Sequence, residues 1–349
     1  MSIRAMLNSE SIHSFNYDSD TWDLLKKTYK NLDLSMPCCG VSAIPKTSKL
    51  NNYFFAHKKQ GECVTAPETA EHLYLKTLIS KIALSEGWEV TTEKQGQTPT
   101  GELWIADIYC TKGNAKLAFE VQWSSQTNDE FIRRTQKYID SGVRVLWLYR
   151  LKGNKTNFLH DLPFSKDVPV FGIKHNKESN LFKVSQFDVL VDKFIQGALK
   201  GNLQWLPKSN DIFTVKLMCD SVICWRCKQK TTTINALHLF NKDNIFIPSV
   251  PLSDSSEYEL ILKNFSNNEL VKFNIGTIKS RYSKTCGYSY LSNGCVHCDA
   301  LMGDFFLERD ELFSPSETLQ FSLPLHIAST FFDIYSSWYF QGLSSEYYG

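Results

Sequence analysis

Asp107, Glu120 and Gln122 are the side chains of this sequence best suited to act together in chemistry. They lie in two β-rich runs, Ile105–Cys110 and Ala115–Gln122, around the turn Thr111-Lys112-Gly113-Asn114. Such runs flanking a Gly-Asn pair predict a hairpin. Side chains alternate faces along a strand, so Glu120 and Gln122 point the same way while Val121 points into the core. A hairpin brings Asp107 and Glu120 to one end. Two carboxylates there repel unless a cation lies between them, and hard oxygen donors suit Mg²⁺ or Mn²⁺. The ordinary alternative is a pair of solvated strand-end acids.

A second chemistry is written in cysteine. Cys224-Trp-Arg-Cys227 and Cys295-Val-His-Cys298 are two Cys-x-x-Cys pairs, which together supply the four thiolates of a closed structural Zn²⁺ site. A long insert separates them, so a sizeable sheet domain is expected in between. Nearer the N-terminus, Cys39 (or Cys38), His57 and Cys63 form a second zinc set that is one ligand short. Small buried thiols and a strand-end histidine are the alternative, as is a His57 turned toward the acidic site. The aromatic run beyond Phe305 reads as core or an oligomer interface.

Composition narrows the classes. The chain has 349 residues, 42% of them hydrophobic and 13% aromatic, which supplies core for two or three domains and excludes a disordered protein. A formal charge of +1 gives no global attraction to polyanions, so any nucleic-acid surface must be a local basic patch. No apolar run approaches the ~20 residues of a membrane span and no signal-peptide pattern is present. A cytoplasmic location without membrane attachment is expected, where thiols stay reduced and ten cysteines point to metal more than to disulfides.

The elements that must position these groups can be read in order. Thr65 as cap, Pro67 in the first turn and Glu68 near the positive end predict a helix over Glu68–Glu86, stopped by Gly87. Leu75, Leu78, Ile79 and Ile82 form its apolar stripe. Glu68, His72 and Lys76 share another face, and Glu71 sits one turn above Leu75 and Leu78. Solvated helical ion pairs are the usual fate of such a face. Trp88–Glu93 reads as a strand, Gly96–Gly101 as a loop, and the hairpin follows. Thr127-Asn-Asp-Glu130 is a capping box for a helix bearing Arg133, Arg134, Lys137 and Tyr138, and Val143–Tyr149 is a buried strand. The order helix, three strands, helix, strand describes an α/β (α+β) domain with a mixed central sheet flanked by helices. The expected division is 1–66, an N-terminal region with the small Cys/His site; 67–200, the sheet domain; and 201–349, a zinc-binding C-terminal domain.

These residues carry a resemblance. Phe55-Ala56-His57, Glu68-Thr-Ala-Glu71-His72 with Lys76, Ile105-Ala-Asp107, Phe119-Glu-Val-Gln-Trp-Ser124, Arg133 or Arg134, Tyr138 and Val145–Leu148 resemble the competence protein CoiA family. That family falls in the PD-(D/E)XK, restriction-endonuclease-like nuclease superfamily. The resemblance covers about residues 37–150, under half the chain.

It implies metal-dependent DNA hydrolysis in uptake, recombination or defence against foreign DNA. Asp107 and Glu120, with Glu71, would hold Mg²⁺ or Mn²⁺, and Gln122 would orient the attacking water. Gln122 stands where many superfamily enzymes have lysine, so positive charge must come from His72, Lys76 or the Arg133–Arg134 pair. Lys58, Lys59, Arg133 and Arg134 are the expected phosphate contacts. That same departure supports the alternative of a catalytically inactive DNA-binding or scaffold protein on the same fold. No Gly-x-x-x-x-Gly-Lys-[Ser/Thr] loop is present, so unwinding would fall to an ATPase partner. Superfamily habit suggests a homodimer.

Overall fold

The computed structural model describes residues 1–59, 68–152, 164–206, 212–240, 246–251, 259, 262–263, 265–303, 317–324 and 337–341. Contacts divide the chain into one unit of Met1–Gln204 with Trp338–Phe340 and another of Trp205–Ser337 with Gln341–Gly349. Among the described residues no helix is long and apolar enough to cross a membrane.

The first unit begins with β1 (Arg4–Leu7), β2 (Glu10–His13) and β3 (Leu34–Ser35), a three-stranded sheet in the order β2-β1-β3. Helix α1 (Ser19–Thr28) starts at a reciprocal capping box between Asp18 and Thr21. It buries Trp22, whose ring stacks on Tyr53 and meets Phe55 edge-on. Those two aromatics belong to the hairpin β4 (Ala43–Thr47) and β5 (Tyr53–His57).

The main layer is a seven-stranded mixed sheet. In chain order it is built from α2 (Ala70–Ser85), β6 (Glu89–Gln97), β7 (Leu103–Lys112), β8 (Ala115–Gln122), α3 (Asn128–Asp140) and β9 (Arg144–Arg150). After these come β10 (Val170–Asn176), β11 (Leu181–Val184), β12 (Val189–Leu190) and α4 (Val191–Leu199). The spatial order is β12-β11-β10-β9-β8-β7-β6, with β8, β9 and β10 parallel and the other pairs antiparallel. A mixed sheet flanked by helices is therefore the observed class. The hairpin closes at Lys112↔Ala115 through Gly113-Asn114, with Gly113 at φ 55°, a conformation glycine adopts without steric cost.

Two boundaries differ from the sequence expectation. Helix α2 is capped by Thr69, whose hydroxyl accepts from the His72 N–H at 3.2 Å, so Glu68 stands outside the helix. Thr65, Pro67 and Cys63 lie outside the described residues. Strand β6 runs through Gly96 to Gln97, and the chain turns instead at 98–102. Within the strand the position requires glycine because the Trp104 ring lies against it: a Cβ there would come within 2.0 Å of that ring. Trp104 cannot easily retreat, since its Nε1 donates to Ser141 Oγ at 2.8 Å and its ring packs on Tyr138. Gly96→Ala is expected to lower stability by about 1–3 kcal/mol, the usual cost of overpacking, measured by urea unfolding. An unchanged unfolding midpoint would show that this contact does not constrain the sheet.

In the second unit, 246–251, 230–240, 212–223 and 317–324 form a four-stranded antiparallel sheet in that order. Strands 279–283, 288–294 and 301–302 form another. Each Cys-x-x-Cys pair occupies the corner of a hairpin, Cys224–Cys227 between 212–223 and 230–240, and Cys295–Cys298 between 288–294 and 301–302. The corners share one backbone pattern. Cys224 N–H donates to Gln229 O and Lys228 N–H to Cys224 O, while Cys295 N–H donates to Ala300 O and Asp299 N–H to Cys295 O.

Candidate functional site

A cleft of about 900 Å³ in the first unit is lined by Glu68, His72, Lys76, Glu93, Asp107, Glu120, Gln122 and Arg134. Its centre is Lys76, which is 0% exposed. The Lys76 ammonium lies 2.8 Å from Glu68 Oε1, 3.2 Å from Glu93 Oε1 and 3.6 Å from Asp107 Oδ1. Burial would favour the neutral amine, but the fields of Glu68, Glu93 and Asp107 prevail and hold its pKa above the ordinary lysine value. Lys76 is thus a fixed internal cation.

Asp107 is the counterpart. Its Oδ2 accepts the Val121 N–H at 2.9 Å and lies 3.4 Å from His72 Nε2. Burial pushes its pKa up, yet Lys76, His72 and the Val121 amide together hold it well below the usual carboxylate range. His72 moves the other way, with Asp107 and Glu68 overcoming burial to raise its pKa. Glu93 was not foreseen. It stands in β6 between the paired positions Thr92↔Ile108 and Lys94↔Ala106, opposite Asp107, with φ at 52°. A non-glycine residue held there costs about 1–3 kcal/mol, strain that tends to collect at functional sites. No local pattern in the sequence marks it, since its partners are Lys76 and Ser2, both distant in the chain, the Ser2 hydroxyl donating to Glu93 Oε2 at 2.7 Å.

Glu120 has a separate set of partners. It is 2% exposed, and its oxygens accept from Arg134 Nη2 at 2.7 Å and from the Tyr138 hydroxyl. Burial first and the Asp107 charge second push its pKa up to about 7, against the opposing pull of Arg134. Arg134 also reaches Gln122 Oε1 at 3.3 Å and Gln126 Oε1 at 3.2 Å, with its guanidinium 4.5 Å over the Trp147 ring. Gln122 donates in turn to Ser124 O and Oγ.

The other expected residues disperse. Arg133 is exposed and turned to Glu130, 2.8 Å away. Lys58 and Lys59 are exposed just past β5, and neither lines the cleft. Glu71 does not line it either, and sits instead among Thr69, His175 and Arg150. Beginning α2 after Thr69 is what places Glu68 at the cleft, in the position expected for Glu71.

Among the described residues, three sets of donors lie close enough to share an ion, one atom from each residue within 4.8 Å of the others: Glu68, His72 and Asp107; Cys38, Cys39 and His57; and the four cysteines 224, 227, 295 and 298. Glu120 is not in the first set. The first set joins Asp107 with Glu68 and His72, where the sequence expectation joined it with Glu120. The cause is local: the ladder between β7 and β8 ends at Ile108↔Phe119. Beyond it Asp107 engages α2, while Arg134 and Tyr138 draw Glu120 to α3. The first set fits a divalent cation on chemical grounds, since Glu68 Oε2 is sheltered from solvent and has no hydrogen-bond partner.

Among the cysteines, the sulfurs of Cys224 and Cys298 are 3.7 Å apart and those of Cys227 and Cys295 3.6 Å. Tetrahedral bonds of ~2.3 Å would set neighbouring sulfurs about 3.8 Å apart, so this set is spaced for one ion. At the N-terminal set Cys38 Sγ is 3.7 Å from Cys39 Sγ and 3.5 Å from His57 Nε2, and both Cys38 and His57 line the acidic cleft. Both adjacent cysteines are therefore within reach, where the sequence suggested one.

Residues 68–195, the stretch that holds the acidic cleft's principal groups, match the sequence model of a family described as Competence protein CoiA, nuclease-like domain. The search of curated proteins returned no match.

Proposed function

From residues 68–195 as a CoiA nuclease-like domain, we propose that this chain is a divalent-metal-dependent deoxyribonuclease. The observation that carries the reading is the buried Lys76 ammonium, surrounded by Glu68, Glu93 and Asp107 where Glu68, His72 and Asp107 approach to ligand distance. A bound divalent ion would polarise the phosphodiester and lower the pKa of a coordinated water. The protein's own groups do the rest. Lys76 supplies, from α2, the positive charge that Gln122 cannot. Arg134 pins Glu120 and Gln122 together at the end of β8, and Gln122 orients the water. With its pKa near 7, Glu120 is suited to accept a proton from that water at neutral pH. Cys224, Cys227, Cys295 and Cys298 would hold a structural Zn²⁺ that stabilises the second unit, and the Cys38–Cys39–His57 set would offer a second zinc position.

The test is incubation of the purified chain with closed circular, linear and single-stranded DNA in Mg²⁺ or Mn²⁺, with and without chelator. Chelator-sensitive shortening of at least one substrate is the expected result. Glu120, with both oxygens engaged by Arg134 and Tyr138, favours a second reading, a binding or scaffold protein. Salt-sensitive DNA binding with every substrate left intact would establish that one and overturn the nuclease.

A further inference from the structure

We infer that the cleft binds its ion through a nitrogen of His72, and so takes a first-row transition ion of the Mn²⁺ kind in preference to Mg²⁺. This rests on the metal-dependent reading of the same cleft. The sequence pointed to an all-oxygen set, Asp107 with Glu120, which would suit Mg²⁺ as well as Mn²⁺. The geometry substitutes an imidazole. His72 is held in the first turn of α2, its backbone N–H on the Thr69 hydroxyl and its ring largely buried. Nε2 faces Asp107 Oδ2 at 3.4 Å and Nδ1 faces Glu68 Oε1 at 3.9 Å. A ring with one nitrogen directed at the site and the other turned to a carboxylate is the arrangement by which proteins orient a metal-ligating histidine.

The oxygens are apportioned accordingly. Lys76 draws most closely on Glu68 Oε1 and Glu93 Oε1, leaving Glu68 Oε2 unpartnered beside the His72 nitrogen and the Asp107 carboxylate, whose Oδ2 also accepts the Val121 N–H. Charge balance agrees. Glu68, Glu93 and Asp107 against Lys76 leave two negative charges, which one divalent ion neutralises and a second would exceed. Mg²⁺ demands near-ideal octahedral oxygen and parts reluctantly with water, whereas a mixed nitrogen and oxygen set favours transition ions.

The probe is MnCl₂, added to zinc-loaded full-length chain and read by pulsed electron paramagnetic resonance and by competition with MgCl₂. Wild type is expected to show ¹⁴N coupling to bound Mn²⁺ and to need on the order of 100-fold excess Mg²⁺ for displacement. His72→Ala and His72→Gln are both expected to lose the nitrogen coupling and about tenfold or more of the preference for Mn²⁺. Circular dichroism identifies the variant that keeps its fold. Mn²⁺ bound in the wild type without nitrogen coupling, or an unchanged Mn²⁺/Mg²⁺ ratio in the folded variant, overturns the inference even where DNA is cut. Nitrogen-coupled Mn²⁺ that His72→Gln abolishes supports it even where no DNA is cut, and in that case the nuclease reading alone fails.

Discussion

Asp107→Asn is expected to lower metal-dependent DNA cleavage by about 10³-fold or more, the ~4 kcal/mol that one preorganised charge-stabilising group contributes to a transition state. The substitution is nearly isosteric. Its amide oxygen can still accept the Val121 N–H that fixes the end of β8, and Lys76 keeps Glu68 and Glu93. What disappears is an anionic donor. In the wild type its pKa lies well below the usual range, despite burial, because Lys76 and His72 stand beside it. Asp107 is therefore ionised at any pH where DNA is stable, so the loss should be the same at mildly acidic and mildly alkaline pH. Single-turnover cleavage of a labelled duplex measures the rate, and thermal unfolding checks the fold. Wild-type cutting by a folded Asp107→Asn protein would remove this carboxylate from the chemistry.

Much of this site was legible because its signals are local. The hairpin follows from two β-rich runs and Gly113-Asn114, and the Thr127 cap of α3 from the Thr-x-x-Glu spacing. The Cys-x-x-Cys corners follow from a spacing that serves one ion, even across a long insert. Alternation put Asp107 and Glu120 on neighbouring strands, but could not show that Asp107 falls in the middle of β7 or that the ladder stops one pair earlier and sends the two to different helices. The face shared by Glu68, His72 and Lys76 was legible as well. Its burial was not, since four-residue spacing is identical for a solvated ion-pair ladder and for one closed over by Asp107 and Glu93. The exchange of Glu71 for Glu68 turned on which of two threonines caps α2. Glu93 had no signal at all, because the partners that give it a place in the site, Ser2 and Lys76, are distant from it in sequence.

Lys76→Met should have the largest effect on stability. Methionine fills a similar volume, so the change isolates the charge. With the ammonium gone, Glu68, Glu93 and Asp107 converge with only His72 beside them to offset their charge. Breaking a buried ion pair in this way costs about 3–5 kcal/mol, because the remaining charges stay desolvated and unpaired. The pH dependence should identify the cause. In the wild type Asp107 has a depressed pKa, so its contribution to stability is present above the unfolded carboxylate range and is lost only in strong acid. Without Lys76 the same carboxylate should take up its proton at higher pH in the folded state than in the unfolded one, which reverses the sign of its contribution. The deficit of Lys76→Met is therefore expected to be greatest near about pH 8 and to shrink toward about pH 5, as protonation relieves the repulsion. Urea unfolding of both proteins at the two pH values, followed by fluorescence, gives the comparison. A deficit independent of pH would mean that Lys76 stabilises the fold by packing, and that the positive charge at the cleft has to be sought in Arg134.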